Sequence, residues 1–165
     1  MVKKLIKGSI PMIVFFLLFY IGINEFHGIF SDNNKYNKHI KMNLPKDSII
    51  LIENDSHGGF HGDGEYYSEV QFTEDGIKEF IKSANETRQW CSYPLPNEIE
   101  NLLSFAESGG ETKKIPMDIK NGIYYFNDRS TGSSSNTGGV KNSYNFTIAI
   151  LDSNTKKLYI YELDT

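Results

Sequence analysis

The sequence predicts an α+β fold: an N-terminal transmembrane helix followed by an antiparallel β-sheet with two helices packed on one face. Three observations predict it. An uncharged apolar run follows three early lysines, the later elements read strand, strand, helix, helix, strand, strand, strand without alternation, and the chain ends in a hairpin pattern. At 165 residues, 39% hydrophobic and 13% aromatic, the chain has room for one globular domain and is too apolar to stay disordered.

Residues 1–26 read as cytoplasmic lysines and a transmembrane anchor. From Gly8 to Ile23 no residue is charged, and Ile10 to Ile23 is apolar on almost every helical face, unlike an amphipathic surface helix. Sixteen residues rise only about 24 Å, but a start at Leu5 with Lys7 snorkelling gives about 19 residues and roughly 28 Å, close to the hydrocarbon thickness. Pro11 falls in the first turns, where its missing N–H costs little. A cleaved signal peptide is the rival reading. Ile23-Asn-Glu-Phe-His-Gly28 lacks the small residues that cleavage wants, which favours a retained anchor through residues 5–23. Lys3, Lys4 and Lys7 place the N-terminus in the cytoplasm and residues 24–165 outside, by the positive-inside rule.

The remaining 14 basic and 21 acidic residues give residues 24–165 a net charge of −7. With only Arg88 and Arg129 beside its lysines, the chain lacks the clustered positive charge that nucleic acid requires. Cys91, the single cysteine, excludes an internal disulfide and a four-cysteine zinc site, and it reads as a small half-buried residue beside Trp90.

Residues 27–47 have the polar, non-periodic composition of a juxtamembrane stalk, so the extracytoplasmic α+β domain is expected over residues 48–165. Ser48-Ile-Ile-Leu-Ile-Glu53 and Tyr66 to Phe72 read as strands. Thr73 caps a helix over about 74–84, with Glu74 and Asp75 at the positive dipole end and Ile77, Phe80 and Ile81 on one face. Asn97 and Glu100 have capping-box spacing and open a second helix over about 97–107, with Ile99, Leu102, Leu103 and Ala106 as its stripe. Gly109-Gly110 stops it. Trp90 to Pro96 reads as an aromatic, proline-rich link. Gly122 to Asn127 is a third strand, and Arg129 to Ser143 a polar loop fit for a flap. Tyr144 to Leu151 and Lys157 to Leu163 flank Asp152-Ser-Asn-Thr-Lys156 as an antiparallel hairpin. Phe146, Ile148 and Ile150 share one face there and Thr147 and Ala149 the other, which predicts a sheet covered on one side.

Asp55-Ser-His-Gly-Gly-Phe-His-Gly-Asp-Gly-Glu65 concentrates the candidate chemistry. Asp55, His57, His61, Asp63 and Glu65 are all odd-numbered, so on extended backbone they point the same way and converge on one cation. Imidazole and carboxylate together suit a borderline divalent metal such as Zn, Mn or Ni better than Ca. The competing reading is a glycine-rich hairpin loop whose polar side chains face water. No His-Glu-x-x-His, Gly-x-Ser-x-Gly or phosphate-cradling signature is present. His27 and His39 carry no constellation, and the acidic ending Glu162-Leu-Asp-Thr165 reads as a solvated strand end.

Asp55 to Glu65, Trp90 with Pro94-Leu95-Pro96, Asn145-Phe146 and the ending Leu158-Tyr-Ile-Tyr-Glu-Leu-Asp-Thr165 resemble small proteins of Bacillus-like Gram-positive bacteria with no assigned activity. The resemblance covers roughly residues 48–165. It implies an exported or membrane-tethered α+β domain and transfers no catalytic role. With no complete catalytic set in the sequence, the expected function is a single-pass membrane protein presenting a small, non-enzymatic binding domain to a protein partner. The alternatives are a metal-dependent, hydrolytic site on His57 and His61, and an anchored immunity or inhibitor protein that pairs its acidic domain with a basic partner.

Overall fold

The computed structural model describes residues 33–58, 62–106, 115–130 and 144–165. The expected membrane span, His27, His61, the Gly109-Gly110 stop and most of the expected flap lie outside the described residues. Among those described, no helix is long and apolar enough to cross a membrane.

A single turn of 3-10 helix, Asn33–Tyr36, runs into α1, Asn37–Ile40. The rest follows the predicted order with one addition: β1 Ile49–Asp55, β2 Gly64–Gln71, α2 Glu74–Thr87, β3 Trp90–Ser92, α3 Asn97–Ala106, β4 Gly122–Asp128, β5 Phe146–Asp152 and β6 Lys157–Asp164. The six strands form one antiparallel sheet in the order β1-β2-β6-β5-β4-β3. The α+β prediction therefore holds. The addition is β3, three residues inside the expected Trp90–Pro96 link, where Trp90, Cys91 and Ser92 pair with Tyr125, Tyr124 and Ile123.

Local chemistry explains several element ends. Thr73 Oγ1 accepts from Gly76 N at 3.0 Å, capping α2, and Arg88 in the left-handed region closes it. At α3 the Pro96 carbonyl accepts from Ile99 N and Glu100 N at 3.0 and 3.1 Å, so Asn97 is the first helical residue rather than the expected cap. In the β5–β6 turn Asp152 accepts from Asn154 N at 2.9 Å and from Thr155 Oγ1 at 2.6 Å.

The expectation that both helices share one face is corrected. Ile77, Phe80 and Ala84 of α2 pack with Tyr66, Val70, Leu158, Ile160, Ala149 and Leu151 on one side of the sheet. Ile99, Leu103 and Ala106 of α3 pack with Tyr67, Tyr159, Tyr161, Ile148 and Ile150 on the other. Strand side chains alternate between faces, and β5 and β6 carry apolar residues in both phases, so both faces need cover. Every residue of β5 is buried, which also overturns the one-sided sheet.

The stalk expectation is corrected as well. Tyr36, Ile40, Met42 and Leu44 are buried in the same cluster as α2, and the folded unit begins at Asn34 rather than near Ser48. These sparse apolar residues show no period because they lie in a short turn-helix segment where neither the 2.0 nor the 3.6 repeat applies. Cys91 is exposed on the edge strand β3 rather than half-buried.

Candidate functional site

A bulge in β1 decides which groups meet. Pairing with β2 slips between Ile50 and Ile52, leaving Leu51 exposed. Ile50 packs on the α2 side and Ile52 on the α3 side, although a regular strand would aim both one way. Beyond the bulge Glu53 and Asp55 stand opposite Ser68 and Tyr66, so their carboxylates return to the α1–α2 face.

On that face the apolar rows of β5 and β6 end in polar residues. Thr147 pairs with Glu162 across the ladder, and Asp164 follows two residues on. Arg129 binds all three: Nη2 lies 2.6 Å from Asp164 Oδ1, Nη1 lies 3.4 Å from Glu162 Oε2, and Nη1 also donates to Thr147 Oγ1. His39 of α1 is buried against the sheet, its ring stacked on Tyr66 at 4.1 Å and its Nδ1 2.9 Å from Glu162 Oε2. Lys35 and Tyr66 converge on Glu53 at 2.5 and 2.8 Å.

The β1–β2 loop brings His57 to the same cluster. Its Nδ1 lies 2.7 Å from Asp55 Oδ1, which also accepts from the His57 backbone N–H at 3.0 Å. An ionised carboxylate only accepts, so Nδ1 carries a proton and points it at Asp55. Nε2 lies 3.3 Å from Asp164 Oδ2, within ion-pair range but outside hydrogen-bond alignment. Gly64 sets this position, because a Cβ there would sit 2.6 Å from both the Cα and the N of His57. Beside Asp164 an open recess of about 520 Å³ is lined by Gly62, Asp63, Asn145 and Thr165.

The five residues expected to converge are therefore divided. Asp55 and His57 meet, Asp63 lines the adjoining recess, and His61 lies outside the described residues. Glu65 stands beside the Tyr161 phenol, which belongs to the α3-side cluster. Equal spacing fails because Gly62 leaves the extended region with φ +73°. Glu162 and Asp164, expected at a solvated strand end, and His39, expected without a constellation, all stand in the cluster. Their same-face spacing, Glu162 and Asp164 two apart on a firm strand, was the available signal.

Glu162 has only 16% of its side chain exposed. Burial pushes its carboxyl up, but hydrogen bonds from His39 and Thr147 and the Arg129 charge outweigh it and hold the group down at about 2. Asp55 is also held below its ordinary value: slight burial opposes the shift, and the hydrogen bonds from the His57 ring and backbone prevail.

The unfolded chain protonates Glu162 near its ordinary 4.5 and the folded chain only near 2. The carboxylate's contribution to stability is complete above about 4.5 and is lost as pH falls toward 2. Denaturant midpoints between pH 6 and pH 2 should fall more steeply for the parent protein than for Glu162→Gln. Equal slopes would show that this carboxylate carries no acid sensitivity.

Together these features define a six-stranded antiparallel α+β domain, helix-covered on both faces, with a charged cluster at one sheet end beside an open recess. Comparison of the chain with family models, curated proteins and solved structures finds no match.

Proposed function

We propose that the chain is a single-pass membrane protein that presents the folded unit outside a bacterial cell as a binding domain, with the end of the sheet at His57 and Asp164 as its binding face. The observation that carries the binding role is the open recess at that end, lined by Gly62, Asp63, Asn145, Asp164 and Thr165 and flanked by a charged cluster whose members are positioned by the sheet. Binding is favoured over nucleophilic chemistry because the two nitrogens of His57 face the carboxylates of Asp55 and Asp164. A base that activates a nucleophile needs a hydroxyl or thiol in one of those positions. Thr147, a hydroxyl within the cluster, is engaged by Arg129 and Glu162, and the Tyr66 phenol by Glu53.

The tether rests on the sequence: uncharged residues 8–23 behind Lys3, Lys4 and Lys7. A reporter fused after Thr165 that is active only outside the cytoplasm should score positive, and the full chain should stay with membranes after alkaline extraction. A cytoplasmic signal, or release by alkali with the N-terminus intact, would overturn the tether.

A further inference from the structure

The divalent metal that the sequence offers as an alternative for the glycine-rich loop meets a different set of donors, His57 of that loop with two carboxylates of β6. His57 Nε2 is shielded from solvent and has no hydrogen-bond partner among the described residues. With Nδ1–H given to Asp55, a neutral ring carries its lone pair on Nε2, 3.3 Å from a carboxylate oxygen. Two electron-rich atoms so placed repel, and a metal ion bound to both relieves this as a second proton on Nε2 would. Metal–nitrogen and metal–oxygen bonds of roughly 2.0–2.1 Å in tetrahedral coordination put neighbouring donors about 3.3 Å apart, which is the spacing seen.

We propose that His57 Nε2, Asp164 and Glu162 hold a borderline divalent cation such as Zn²⁺, with Asp55 as the outer carboxylate that orients the imidazole. The donor atoms of these three residues all lie within 4.8 Å of one another. Asp164 divides its oxygens: Oδ1 faces Arg129 and Oδ2 faces His57, so the guanidinium and the cation use different atoms. The recess beside Asp164 supplies the approach and room for water as a further ligand. Nitrogen and oxygen donors in a three-residue set suit Zn²⁺ better than Ca²⁺, which takes six to eight oxygens.

This inference deepens the binding-domain reading and rests on it only for the choice of face. The full chain, in detergent, is titrated with Zn²⁺ and followed by calorimetry and by the ¹⁵N resonances of the His57 ring. Saturable binding is expected, with the Nε2 resonance moving far more than Nδ1. His57→Gln should lower the association constant at least tenfold, and Asp55→Asn by roughly 10–100-fold, the usual cost of losing an outer carboxylate. Glu65→Gln should leave it unchanged. An Nε2 resonance unmoved by Zn²⁺ overturns the proposal in the parent protein itself, whatever the variants do. Equal binding by His57→Gln also overturns it. Membrane placement is scored separately by the reporter, so loss of the metal site and loss of the tethered-domain reading give different results.

Discussion

Gly122→Ala is expected to lower the domain's stability by about 3 kcal/mol or more and its Tm by about 10 °C. Gly122 opens β4 opposite Asp152, and a Cβ built there lies 1.9 Å from the Leu151 carbonyl oxygen. The obstacle is the backbone of β5, which cannot swing aside as a side-chain tip would. Relief requires β4 to move off β5, which breaks ladder pairs and pulls on the Tyr93 N–H that donates to the Gly122 carbonyl at 3.0 Å. Thermal unfolding followed by far-ultraviolet circular dichroism checks this, and a Tm within 2 °C of the parent would refute the close approach.

The other large effect is expected at Phe80. Its side chain is 1% exposed, with Phe72 at 5.0 Å and the Trp90 ring edge-on at 5.1 Å. Phe80→Ala removes the knob that joins α2 to the sheet, and such truncations cost about 3–5 kcal/mol through lost transfer energy and an unfilled cavity. Trp90 is the single tryptophan, so its emission reports on the same contact. The variant should unfold at lower denaturant, and its folded emission should shift to the red. Unchanged emission with lost stability would place the damage away from the Phe80–Trp90 contact.

The two substitutions also separate what was readable along the chain from what was not. Phe80 belongs to an apolar stripe whose cap, acidic first turn and period all lie within one helix, and the predicted helix differs from the observed one only at its end. The β5–β6 hairpin was equally plain, because both strands and the turn between them are contiguous. Nothing local marks Gly122 as a contact point: its constraint comes from Leu151, a residue on another strand. Trp90 gave no strand signal either, since three residues are too few for a period and their pairing partner, β4, follows α3 in sequence.

The candidate site follows the same division. The pairing of Asp55 with His57 joins near neighbours and was foreseeable from the loop's composition. Asp164 reaches His57 only because β6 lies beside β2, and Glu162 reaches His39 only because α1 lies on that face. The glycines disguised this by making the loop look self-sufficient.

Sequence alone determined the antiparallel α+β class, the places of α2 and α3 and the terminal hairpin, because caps, turns and periodicity are written in residues close along the chain. Tertiary structure decided that the helices take opposite faces, that residues 34–47 join the core, and that the bulge at Leu51 turns Asp55 toward Glu162 and Asp164. The physical reason is that a strand's phase is fixed by its partners: one unpaired residue reverses which face every later side chain meets, and β1 shows no sign of it until it pairs with β2.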